Sequence, residues 1–420
     1  MSGSVHAVPQ NRWDLLDGLR PDPLPPVSVV IAHYEQPRQL TRTLAAVRAQ
    51  DYPADLLDVV VVDDGSRTPP SVPDGVRLER QPDRGFRLAA ARNLGVAAAR
   101  HDLVVQLDAD TAPEPGYVRA ITRLPALAPD CVTVGRRRHA LFDHVATTLP
   151  VERVGPTVEV AEPRWLRDAY ARSRNLLDAD DRSYRYVIGA VTAFSRSMFE
   201  AAGGYDETFT SYGGEDWEWA YRAWLAGGVF AHVPDAVAWH DGPDAAGRLD
   251  DPGDGLAARN DETLRLAELI PLPGSGPRGH VPAHVDILVR LPGGLDAATR
   301  FLLADQVLAD LPHAAVEGEA SAARRIVDRV RIDVDVLAPH LLRAGALRRS
   351  VDRVGTEQLG ALLIADEAGV PCVRVTSRRA AARRARHDRP GLSPEVEVRT
   401  ADCRVLGSAP DLAAYLGGWA

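Results

Sequence analysis

VVVVDDGS, residues 59–66, is four β-branched side chains running straight into two carboxylates, Asp63 and Asp64, and a glycine. An apolar run without alternation fits a strand covered on both faces, and the Asp-Gly that follows fits a turn at its end. Upstream, VSVVIA (27–32) is a second such run, followed by Pro37 and then Leu40, Leu44 and Val47 at helical spacing. Downstream come a short strand at 76–78, an alanine-rich helix at about 88–99 and a third apolar run at 103–107 that ends in QLDADT (106–111). Helices alternating with apolar strands predict an α/β fold built on a mainly parallel sheet with helices on both faces. Ligands of such sheets bind beyond the carboxyl ends of the strands, which is where Asp63, Asp64, Asp108 and Asp110 fall.

The rest of the chain bounds the reading. With 420 residues, 45% hydrophobic and 25% charged, it has the composition of a globular protein and the length of two or three domains. Residues 1–26 carry five prolines and read as an arm leading loosely into the fold, on which Trp13, Leu15 and Leu16 could dock. The Pro/Gly-rich stretch after Ile270 reads as a linker, 271–283, between a domain over 27–270 and a smaller C-terminal α/β domain over 284–420. That second part opens with a strand, a turn and a helix in the order of residues 27–53, which leaves a degenerate repeat open. Its arginine-rich segment, 378–389, reads as a solvated helix, with acceptor binding or a homodimer contact as the other options.

The net charge of −9 gives no basic face for nucleic acid, and there is no apolar run long enough for a membrane span and no signal-peptide pattern, so a cytoplasmic protein is expected. Three widely spaced cysteines predict neither a disulfide framework nor a zinc cluster.

Four segments could carry chemistry. An ionised Asp63 or Asp64 can accept from a pyrimidine imide or a ribose hydroxyl, although a plain Asp-Gly turn explains the motif as well. Asp108 and Asp110 project from the same side of an extended chain and can face one hard cation and its diphosphate. Between these motifs, DRGFRLAAARNLG (83–95) supplies Arg84, Arg87 and Arg92 as phosphate- or base-positioning groups, with a solvated helix face as the competing reading of Arg87. GGYDETFTSYGGEDWEWAYRAW (203–224) combines glycines, which allow close backbone approach, with flat aromatic surfaces and with Glu215, Asp216 and Glu218 at a helix N-terminus that tolerates carboxylates. His240, at the end of the strand-like AVAWHDG (236–242), completes an oxygen and nitrogen donor set suited to Mn²⁺.

Taken in order, these motifs resemble the family 2 glycosyltransferases with the GT-A fold, and the GGYDE and GGED segment is similar to galactosyltransferases and chondroitin-synthase-type enzymes. The resemblance covers about residues 27–245. It implies a nucleotide-sugar donor, with UDP the expected nucleotide, held by His33, Glu35, Asp63, Asp64, Arg84, Arg92 and Asp108. It further implies Mn²⁺ or Mg²⁺ held by Asp108, Asp110 and His240, and an acceptor met by Tyr212, Gly213, Gly214 and Trp217. Asp216 would be the general base of an inverting transfer, with Glu215 holding the acceptor, which could be a glycan, a peptide or a small natural product. Two other functions compete: an inactive sugar-binding module, and a nucleotidyltransferase, which needs a glycine-rich triphosphate loop where this chain has AHYEQPR (32–38).

Overall fold

All seven side chains of β1 (Val27–His33) are buried, as an apolar run covered on both faces requires. The computed structural model describes residues 6–243, 252–319, 322–406 and 409–417, so residues 1–5 of the arm lie outside it. After β1 come α1 (Pro37–Arg48), β2 (Leu57–Asp63), β3 (Val76–Arg80), α2 (Leu88–Ala98), β4 (Leu103–Asp108), β5 (Thr111–Pro113), α3 (Tyr117–Leu127) and β6 (Cys131–Ala140). The chain continues through α4 (Val151–Val154), β7 (Glu159–Val160), α5 (Arg164–Arg172), β8 (Val191–Ser195), α6 (Arg196–Ala201), α7 (Glu215–Leu225), β9 (Val229–Asp241) and α8 (Pro252–Leu269). Pro37 opens α1, a position where a missing N–H breaks no helical bond.

These strands form one sheet in the order β3-β2-β1-β4-β8-β6-β9-β5, with β7 on β6. The pairs β1–β2, β1–β4, β2–β3 and β6–β9 are parallel, whereas β4–β8, β6–β8 and β5–β9 are antiparallel. The expected α/β fold is therefore present, as a mixed, mainly parallel sheet. Its register positions the site: His33 lies beside Asp63, Ala32 beside Asp108 and Thr111 beside His240, so the ends of β1, β2, β4 and β9 meet at one pole.

Two compact units divide between Thr263 and Leu264, inside α8 and ahead of the Pro/Gly-rich stretch. The second unit contains β10 (Ile287–Arg290), α9 (Ala297–Asp310), β11 (Ala315–Val316), β12 (Ile332–Val336), β13 (His340–Leu342), α10 (Ala346–Thr356), β14 (Ala361–Ala365), β15 (Pro371–Ser377), α11 (Arg378–His387), β16 (Glu395–Arg399), β17 (Cys403–Val405) and α12 (Leu412–Tyr415). Its main sheet runs β11-β10-β12-β15-β14-β16, with a separate β13-β17 pair.

That order repeats the central six strands of the first unit, β2-β1-β4-β8-β6-β9. In each unit the opening strand lies parallel between the next strand and a later one (β2-β1-β4, β11-β10-β12). The later strand pairs antiparallel with β8 or β15, which pairs antiparallel with β6 or β14, which pairs parallel with β9 or β16. The short strands β5 and β13 each run antiparallel to the last strand of their own unit, β9 and β17. Nothing between β11 and β12 corresponds to β3 and α2 among the described residues.

Three expectations are corrected. The arm does not lead in loosely from residue 6 onward: the Asn11 side chain donates to the carbonyls of Leu176 and Phe230 and accepts from Phe230 N, and Val8 and Leu16 are buried. Cys372 and Cys403 are not isolated, because β15 and β17 bring them together as a disulfide, a pairing across 31 residues that spacing alone does not reveal. The arginine-rich helix α11 is solvated on one side only, since Arg379 and Arg383 are buried while Arg384 pairs with the exposed Glu395.

Candidate active site

The β2 end is tied inward. Asp63 is fully buried; its Oδ1 accepts from Ser66 Oγ at 2.5 Å and lies 3.0 Å from His33 Nδ1, and its Oδ2 lies 3.0 Å from Arg80 Nε. Asp64 accepts from Arg87 N at 3.0 Å and from the Gln81 amide at 2.5 Å, and burial pushes its carboxyl above the usual range. Gly65 is required directly after them: its φ is +86°, and a Cβ there would collide with the backbone of Asp83. Glu35 accepts from Arg67 N, which holds its carboxyl below the usual range. Of the donor-binding candidates here, His33 and Asp63 face each other in the interior, whereas Arg84 is exposed beside Gly85.

At the β4 end the site draws together. Arg92, on α2 and 3% exposed, donates through one nitrogen to Asp108 Oδ1 and through another to Glu215 Oε1, both at 2.9 Å. A residue read as a phosphate contact is thus an internal strut between the end of β4 and the start of α7. Glu215 Oε2 is buried with no hydrogen-bond partner. Burial and then the charge of Asp216 raise the Glu215 carboxyl to about 7, against the pull of Arg92. Asp216 is less buried; its Oδ2 accepts from Gly189 N at 3.0 Å and its Oδ1 from Trp217 N at 2.8 Å, and burial raises its carboxyl too. Gly214, at φ +90°, lets the chain enter α7 so that both acids occupy its first turn.

Two of the three cation candidates, Asp110 and His240, meet at the β5–β9 pair. His240 Nδ1 lies 3.1 Å from the Gly242 carbonyl, which places the proton on Nδ1 and leaves the Nε2 lone pair facing Asp110 Oδ2 at 3.6 Å. That separation is too long for a hydrogen bond, and Asp110 Oδ2 also accepts from Gln36 Nε2 at 3.1 Å. Asp108, its side chain 28% exposed, stands two residues before Asp110 at the end of β4 and is paired with Arg92. Two carboxylates and an imidazole held in its metal-ligating tautomer fit a divalent cation of the Mn²⁺ type.

The acceptor candidates separate. Tyr212 is 62% exposed and meets Phe86 edge to face, with ring centroids 6.0 Å apart. Trp217 packs edge-on to Trp165 and Tyr184, forming a partly exposed aromatic wall that sequence reading did not find. Gly213 lies under the carboxylate of Glu262: a Cβ there would lie 2.9 Å from the Glu262 carboxyl carbon. Burial and the charge of Asp216 raise Glu262 as well, so a third acid attends the GGED turn, supplied by a helix that carried no recognisable motif.

Residues 28–201 match the family model described as glycosyl transferase family 2, and residues 177–238 match the one described as the N-terminal domain of galactosyltransferase. The first unit thus carries a match to glycosyl transferase family 2. Over 253 residues the chain is 30% identical to chondroitin synthase of Escherichia coli, an alignment covering 54% of this chain and 35% of that one. It is 27% identical over 242 residues to hyaluronan synthase of Pasteurella multocida, covering 52% and 24%. Validoxylamine A glucosyltransferase of Streptomyces hygroscopicus subsp. jinggangensis matches at 30% over 218 residues, covering 47% and 51%. A solved structure, that of GalNAc-T7 with UDP, GalNAc and Mn²⁺, aligns at 19% identity with a TM-score of 0.42, covering 61% of this chain and 53% of that one. The chain spans between about a quarter and a third of the first two of these relatives, and within it the match to the family ends before the second unit. Among the described residues, no helix is long and apolar enough to cross a membrane.

Proposed function

We propose that the first unit is a metal-dependent inverting glycosyltransferase that moves a sugar from a UDP-type donor to an acceptor hydroxyl. The observation that supports this reading is Arg92, whose guanidinium bridges Asp108, a proposed cation ligand, to Glu215 beside the proposed base. The curated relatives support it, since each is named for sugar transfer or for glycan synthesis.

In this reading Asp108, Asp110 and His240 hold the divalent ion, which when bound offsets the charge of the departing diphosphate. Asp216, the more accessible of the two α7 acids, takes the acceptor proton as the hydroxyl oxygen attacks the anomeric carbon from the face opposite the diphosphate. Its raised proton affinity brings a carboxylate closer to the value at which a general base works at neutral pH, and general-base assistance is worth about 10²–10⁴ in rate. Glu215, anchored by Arg92, orients the acceptor, and the Trp217–Trp165 wall provides a stacking surface for a sugar ring.

The test is release of UDP from UDP-sugars, with and without candidate acceptors. Turnover supported by Mn²⁺ and abolished by excess EDTA is expected. Undiminished turnover in EDTA would overturn the metal dependence, and consumption of nucleoside triphosphate in place of nucleotide-sugar would overturn the reaction class.

A further inference from the structure

After β12 the second unit has Leu337, Ala338 and Pro339 where β4 of the first leads into its Asp-x-Asp, yet it gathers a different donor set there. β13 follows β12 as β5 follows β4, and His340 opens β13 where Thr111 opens β5. His340, Cys372 and Cys403 place one ligand atom each within 4.8 Å of one another, and all three are buried. His340 is 4% exposed and neither ring nitrogen has a hydrogen-bond partner. A buried imidazole without any partner is costly, and it is aimed at two sulfurs.

We propose that, in its dithiol state, the second unit binds one thiophilic divalent cation of the zinc class through His340, Cys372 and Cys403. The disulfide seen in the structure is the oxidised alternative, in which both sulfurs are consumed. Tetrahedral zinc, with bonds of about 2.0–2.3 Å, sets its ligand atoms about 3.3–3.8 Å apart, and small side-chain rotations reach that spacing from the observed cluster. The Cα separation of Cys372 and Cys403, 7.0 Å, lies at the outer edge of what a disulfide spans. It suits two thiolates with an ion between them. Two sulfurs and one imidazole select a borderline-soft ion over Mg²⁺ or Ca²⁺. Binding releases one proton from each thiol, and the imidazole enters as the neutral ligand. His340 also lines a cavity of about 200 Å³ with Val336, Leu342 and Val373, which offers room for a water as fourth ligand.

The test uses the full chain, stripped of metal and compared in two states: reduced with a phosphine, and oxidised to the disulfide as checked by mass. Co²⁺ is the probe, because thiolate-to-cobalt charge transfer reports sulfur ligation and the carboxylate and imidazole donors of the first unit cannot produce it. Cys131 takes no part in the disulfide and is the same in both states, so it does not contribute to the difference. One equivalent of Co²⁺ with a thiolate band, displaced by Zn²⁺, is expected in the reduced chain and not in the oxidised one. Cys403→Ser should abolish the band, and His340→Ala should weaken Zn²⁺ binding about tenfold or more, both with Mn²⁺ binding at the first unit unchanged. No band in the reduced wild-type chain overturns the proposal. Equal binding by both redox states, or unchanged affinity in His340→Ala, does so too.

Discussion

Replacing Arg92 by methionine keeps much of the side-chain bulk and removes the cation that Asp108 and Glu215 share. Arg92 is 3% exposed and Glu215 5%, so the carboxylate left behind has no water to turn to. Breaking a buried pair from one side costs about 3–5 kcal/mol, and the 28% exposure of Asp108 argues for the lower end, about 3 kcal/mol. For a unit of this size that lowers the melting temperature by about 6–12 °C. The loss depends on pH with a definite sign. Burial raises the Glu215 carboxyl from 4.5 to about 7, so between those values the folded chain keeps a proton that the unfolded chain has released. Stability therefore falls as pH rises through that window and levels off above it. Arg92 opposes the rise; without it the carboxyl climbs further, so the deficit of the variant is smaller at pH 5, where Glu215 is already neutral, than at pH 8. Tryptophan fluorescence during heating is the assay, because every tryptophan except Trp419 precedes Thr263. Adding Glu215→Gln to Arg92→Met should recover part of the loss. A deficit below about 1 kcal/mol, or one equal at the two pH values, would refute the strut.

Asp216→Asn should leave UDP affinity by calorimetry unchanged and lower kcat by about 10² or more; if Glu215→Gln does this and Asp216→Asn does not, the base is Glu215. Asp110→Asn and His240→Ala should each raise the Mn²⁺ concentration needed for half-maximal turnover, read from a metal titration, while Tyr212→Ala leaves it unaltered. Gly213→Ala places a Cβ 2.9 Å from the Glu262 carboxyl carbon at φ +98°, so it should depress transfer more than the melting temperature; Glu262→Ala added to it should restore activity in part only, because the backbone strain remains.

Strands β1, β2 and β4 were legible because each is an apolar run ending in a polar residue, whereas β5 to β8 were not read, and the register carries Asp63, Asp108 and His240 to one pole. What those residues do there was less legible. Arg92 reads in sequence as one of three arginines near a phosphate site, and only the fold reveals partners 16 and 123 residues away. Glu262 has no motif around it, and its relevance arises from α8 passing over a glycine some fifty residues earlier in the chain. In the second unit the opening strand and helix could be read, but the recurrence of the central strand order could not. It is carried by backbone pairing rather than by residue types, and the Asp-x-Asp that marks the first copy is missing after β12 in the second. The meeting of Cys372 and Cys403 depends on the same pairing, through a two-stranded sheet of six residues.

A single guanidinium divided between Asp108 and Glu215 makes the two ends of the pole thermodynamically linked. A divalent ion drawn to Asp108 supplies positive charge there and leaves more of Arg92 to Glu215, favouring the ionised form of an acid poised near neutrality. In the proposed reading, cation uptake near pH 7 would expel a proton, and by reciprocity any ligand that keeps Glu215 protonated would weaken the cation by the same factor. Calorimetry of Mn²⁺ binding in buffers of different ionisation enthalpy reads that proton directly, and in Arg92→Met its release should shrink. The chain would thus sense at one end of the pole, through proton traffic alone, whether the other is filled.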